Sequence, residues 1–121
     1  MTKAALDRTT ALFALTSKRL ELAETTLGAA LRRLSALDAE IAALCIDCAR
    51  TADVQSLAEV EILRRMASLR IEEKKQDRRS LQRESETLRE QTRRLLRQKI
   101  ALEAELSAAD AERRRRERNK G

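Results

Sequence analysis

The chain has 121 residues, 42% of them hydrophobic and 38% charged, and a net charge of +6. Phe13 is its one aromatic residue, glycine occurs at positions 28 and 121, and proline, histidine, tryptophan and tyrosine do not occur. So few turn-forming residues, with no general-base histidine and no glycine-rich phosphate loop, argue against an enzyme and for long helices rich in Ala, Glu, Lys, Leu and Arg.

The first predicted helix covers about residues 4–50, opening near Thr2 or Asp7. Leu6, Phe13, Leu20, Leu27, Leu34, Ile41 and Cys48 recur at intervals of seven, and Thr9, Thr16, Ala23, Ala30, Leu37, Leu44 and Thr51 form a second row three places on. Two such rows form the apolar seam of a coiled-coil helix, which faces another helix along its length. Cys45 and Cys48 near the end of this helix form a C-x-x-C string. A zinc site needs two further ligands that no third cysteine or histidine provides. The redox use of this string needs a helix N-terminus to acidify the thiol, not a C-terminal end. Both cysteines therefore read as ordinary small helix residues, with no metal and no cofactor expected.

The seam falters over residues 51–55, where a turn is expected. Ser56-Leu57-Ala58-Glu59 has the spacing of a capping box, with Asp53 as a competing cap. The second helix, about residues 56–116, repeats Val60, Ala67, Lys74, Leu81, Leu88, Leu95, Leu102 and Ala109. Its companion row is Leu57, Arg64, Ile71, Arg78, Ser85, Thr92, Lys99 and Leu106. Extra apolar residues Ile62, Leu63, Met66 and Leu69 predict a broadened face near its start, and Leu96 and Ile100 do so near its end. Residues 72–80 contain no apolar side chain.

The fold class is thus all-α: an antiparallel coiled-coil hairpin forming one domain over residues 1–121. A fold-back at 51–55 makes facing residue numbers sum to about 106, and each arm spans roughly 75 Å at 1.5 Å per residue. That register sets Leu44 against Ile62, Leu20 against Glu86 and Leu88, and Phe13 near Arg93 and Leu95. It also sets the polar block opposite Leu27, Leu31 and Leu34. Either these leucines stay uncovered and serve a partner or a second copy, or Lys and Arg stems lie across them. Residues 107–121 are left as a basic arm with nothing to pair with.

Charge is uneven. Residues 1–56 hold seven basic and seven acidic side chains, and residues 57–121 hold 19 against 13. No segment approaches the ~20 apolar residues of a membrane helix, and residues 11–15 are too short for a signal-peptide core, so a cytoplasmic protein without membrane insertion is expected. The run Arg113–Arg116 suits an acidic protein surface. Nucleic acid is disfavoured because bases have no aromatic side chains to stack on, and the cluster follows the seam where a basic zipper has it first.

Two heptad arms, a basic excess, an Arg-rich end and near-absence of glycine and proline make the chain similar to the FliJ/YscO family, stalk proteins of flagellar and injectisome type III secretion. The resemblance is architectural and covers most of the chain. It implies a non-enzymatic stalk whose paired ends enter the hexameric export ATPase, with the export-gate protein and chaperones as further partners. Transferred to these residues, the ATPase contact falls on Leu6, Arg8, Leu12, Phe13, Arg93, Arg97, Arg113, Arg114, Arg115 and Arg116. The gate or chaperone contact falls on Leu27, Leu31, Leu34, Leu44, Ile46, Leu57 and Ile62. Family members often carry aromatic residues toward the tip, and this chain has none there. The alternatives left open by the residues are a homodimeric coiled-coil scaffold and a basic nucleic-acid-binding helical protein.

Overall fold

Thr2 opens the first helix. Its hydroxyl accepts the amide of Ala5 at 3.2 Å and its carbonyl accepts the amide of Leu6 at 2.9 Å, the two bonds that define an N-cap. Helix α1 then runs Lys3–Arg50 and helix α2 runs Leu57–Lys120. Ser56 starts α2 in the same way, with the Glu59 amide on its hydroxyl and the Val60 amide on its carbonyl. The computed structural model describes residues 1–50 and 56–120, and the side chains of 1–47 and 56–120. The expected turn at 51–55, the Asp53 cap and the seam places of Cys48 and Thr51 lie outside the described residues. The architecture is an all-α helical hairpin in which the two helices pack against each other, with no strand among the described residues.

Two units divide the chain. One comprises Met1–Thr26 with Leu88–Gly121, the other Leu27–Thr87. In the first, Thr9, Thr16, Leu20 and Ala23 are buried, and Leu6 and Phe13 are half-buried. Opposite them Leu88, Thr92, Leu95, Lys99, Leu102, Leu106 and Ala109 are half-buried. In the second, Ala30, Leu34 and Leu37 are buried against a face carrying Ile71, Lys74, Arg78, Leu81 and Ser85. Apart from Leu57 and Arg64 in the first turns of α2, the described positions of the two heptad rows are buried or half-buried, so the seven-residue repeat specifies which side chains turn inward.

Three polar members of the seam cope with burial locally. Thr9 and Thr92 hydroxyls donate to the carbonyls of Ala5 and Leu88, and Ser85, only 1% exposed, donates to Gln82 at 2.8 Å. Each satisfies its hydroxyl within its own helix, leaving a small side chain that lets the helices approach closely.

The register differs from the expected one. Lys74 bonds Glu40 at 2.9 Å, and Arg78 forms a two-armed bond to Asp38, its second arm 3.5 Å long. These pairs sum to 114 and 116, not about 106. Alignment of the rows fixes the sum at 115, since only sums seven apart keep seam against seam. The next value down, 108, would put Arg78 beside Ala30 and Lys74 beside Leu34, close to Arg32 and Arg33. At 115 the same two cations meet Asp38 and Glu40. Opposite-charge pairing at the polar block therefore selects the register, and it supplants the expected facing of Leu44 with Ile62 and of Phe13 with Arg93 and Leu95.

Three further expectations change with it. Leu34 is 7% exposed and lies in the seam, so it is covered, and Leu31 beside the seam is 37% exposed. The first turns of α2 turn the row residues Val60 and Ala67 inward, Val60 buried and Ala67 half-buried, and leave the residues between the rows outside. Ile62, Leu63, Met66 and Leu69 are therefore exposed and do not broaden the seam; Leu57 is 91% exposed. Leu96 and Ile100 are likewise exposed, because the strict rows leave them on the outer surface. Finally, residues 107–113 are not a free overhang: Ala109 and Asp110 are half-buried against the start of α1.

Candidate functional site: the basic terminal unit

Counted unit by unit, the net charge has a single location. Residues 27–87 hold eleven basic and eleven acidic side chains, whereas 1–26 with 88–121 hold fifteen against nine. All of the +6 belongs to the unit that contains Met1 and the arginine run.

Every residue of the expected ATPase-contact set falls in this unit. Met1, Lys3 and Leu6 from α1 and Leu106, Ala109, Asp110, Glu112, Arg113 and Arg116 from α2 line one open groove of about 370 Å³. Its floor is apolar and its rim is charged. Arg113 and Arg114 both reach Asp110, at 3.0 and 3.2 Å, and Arg116 reaches Glu112 at 2.8 Å. These are exposed pairs one helical turn apart, worth about 0.3–0.5 kcal/mol each, so they orient the guanidinium groups without neutralising the cluster. Arg115, Arg118 and Lys120 project without a carboxylate within ion-pair distance among the described residues. Phe13 is half-buried, with the Lys99 ammonium 5.9 Å from its ring centre, at the outer limit of a cation–π contact. Arg8, Leu12, Arg93 and Arg97 are exposed, and Arg93 lies 4.0 Å from Glu90.

The expected gate or chaperone set lies in the neutral unit and is not one surface. Leu34 is buried, Leu27 and Leu44 are half-buried seam residues, and Leu31, Ile46, Leu57 and Ile62 are exposed. Glu40 there receives Lys74 and Arg33, and hydrogen bonding and charge from Lys74 hold its carboxyl below the ordinary carboxylate range. Asp38 raises the already high pKa of Arg78 by the same means. These are structural ion pairs, shielded on one side by the seam.

Cys45 is an exposed free thiol, and no group of three His, Cys, Asp or Glu side chains is placed to hold a metal among the described residues. No described helix is long and apolar enough to cross a membrane. No family model, curated protein or solved structure matches the chain.

Sequence reasoning missed one feature of this unit. Leu12, Leu15 and Leu22 are exposed to 52%, 46% and 69% on α1. The available signal was their position outside both heptad rows, which marks them as belonging to a second face.

Proposed function

We propose that the chain is a non-enzymatic stalk protein of a type III secretion export apparatus, whose terminal unit seats in the hexameric export ATPase and promotes its assembly or turnover. One observation carries the reading: the entire positive excess is collected in the unit where the start of α1 and the end of α2 meet. A cationic helical end attracts an acidic ring opening from a distance, and attraction between scattered exposed charges has little angular preference, as an accessory inside a ring of repeated subunits requires. Reversing Arg113–Arg116 to glutamate and adding the variant to the purified ATPase tests it. The unaltered chain should raise ATP hydrolysis, and the variant should lose most of that increase. Equal rates with and without the unaltered chain would end the proposal.

A homodimeric scaffold is the second reading, favoured by exposed Ile62, Met66 and Leu69 on the net-neutral unit. Sedimentation equilibrium separates the two, because the stalk is a monomer of 13.7 kDa and the scaffold has twice that mass.

A further inference from the structure

The exposed leucines of α1 lie together on one helical face. At 100° per residue, Leu12, Leu15 and Leu22 fall within an arc of about 80°, and they span about 15 Å of helix. The arc lies to one side of the seam and outside its rows, each of the three leucines immediately preceding a row residue, Phe13, Thr16 and Ala23. Arg8 and Arg19 fall inside the same arc. None of the acidic residues of α1 before Leu27, which are Asp7, Glu21 and Glu24, falls inside it. Arg8 and Arg19 also have no acidic residue three or four places away along α1. Neither makes an ion pair within 4.0 Å among the described residues; the Arg8 guanidinium donates only to the Ala4 carbonyl.

From this segregation we infer that the Leu12–Leu15–Leu22 face is a docking site for an acidic amphipathic helix of a partner protein. That helix lies along α1 as a third strand. Leucines spaced three and seven apart form the ridge that a facing helix receives between its own side chains, and uncompensated arginines within the ridge call for carboxylates flanking the incoming apolar stripe. A second copy of the chain fits less well, because pairing two such faces brings Arg8 and Arg19 of both copies, and two +6 units, together. The inference extends beyond the ring-seating proposal. Leu15, Arg19 and Leu22 belong to none of the residues invoked there, and only Arg8 and Leu12 are shared.

A fluorescent four-heptad peptide with leucine at its two seam positions and glutamate at the flanking ones serves as the probe. Its counterpart carries lysine in place of glutamate. Each is titrated with the full chain and followed by anisotropy. The acidic peptide should bind at least tenfold more tightly than the lysine peptide. Leu15→Glu with Leu22→Glu should weaken it tenfold or more, and so should Arg19→Glu, with helix content by circular dichroism unchanged. Reversal of Arg113–Arg116 should leave it within threefold, which separates this site from the ring contact. Absence of binding, equal binding of the lysine peptide, or loss only on reversal of the arm would each overturn the inference. Dimerisation of the chain alone that Leu15→Glu with Leu22→Glu abolishes would overturn it in favour of a second copy. Leucine-dependent binding to vesicles of anionic phospholipid would overturn it in favour of a membrane surface.

Discussion

Leu37 and Leu31 are six residues apart on the same helix, and the structure assigns them very different energies. Leu37 is 2% exposed in the seam, and the register sets it opposite Arg78, whose stem must then cover it; Leu31 flanks the seam at 37% exposure. Truncating Leu37 to alanine removes three carbons. At about 0.8 kcal/mol per buried carbon that is about 2.4 kcal/mol, and incomplete collapse of the gap brings the loss to about 3 kcal/mol. Leu31→Ala loses part of the same transfer energy but leaves no enclosed void, because water reaches the site. Alanine is also the better helix former, so the net loss there is about 1 kcal/mol. Urea unfolding followed at 222 nm, with both variants compared at a common slope, measures the difference. Equal losses, or a loss at Leu37 below about 1 kcal/mol, would show that the register is not the one described.

Gly28 sits inside α1 at ordinary helical geometry, and a methyl group there would meet only the Arg32 guanidinium at 3.5 Å; Gly28→Ala should therefore stabilise the chain by about 0.5–1 kcal/mol in the same assay. Ser85 is 1% exposed at the close approach opposite Ala30, so Ser85→Leu should cost about 1–3 kcal/mol through overpacking, whereas a leucine that stabilised the chain would mean the helices are further apart. The Glu40 carboxyl titrates below its unfolded value because Lys74 bonds its charged form. Its contribution is complete above the ordinary carboxylate range and fades as pH falls through the lowered value. Glu40→Gln should accordingly lower Tm at pH 7, and the gap to the unaltered chain should close on acidification; a gap independent of pH would remove the Lys74 pairing from the account.

The sequence carries enough to name the fold and to choose the inward rows, because a strict interval of seven is a local property of each helix. It also supplies the Ser56 cap and one of the two offered starts, Thr2. Register was not legible in the same way. The midpoint of the turn suggested a sum near 106, yet the actual alignment depends on which cations meet which carboxylates across the seam, a pairing of residues 34 and 40 positions apart. From that one displacement follow the covered Leu34 and the seating of Ala109 and Asp110 against the first turn, whereas Ile62 and Leu69 are exposed because they lie outside both rows. The basic end was visible as an Arg-rich run. Its extent was not, since contributions from both ends of the chain add up only once the fold groups them.

The distribution of charge has a consequence for the response to ionic strength. In the neutral unit, cross-helix attractions at Asp38 and Glu40 contribute to stability, so added salt should loosen it by screening them. In the basic unit, the prevailing force among the crowded cations is mutual repulsion, and the same salt should relieve it. The two stretches of one helix pair should therefore move in opposite directions as sodium chloride is raised, with amide exchange quickening around residues 38–40 and 74–78 while it slows toward the arginine-rich end.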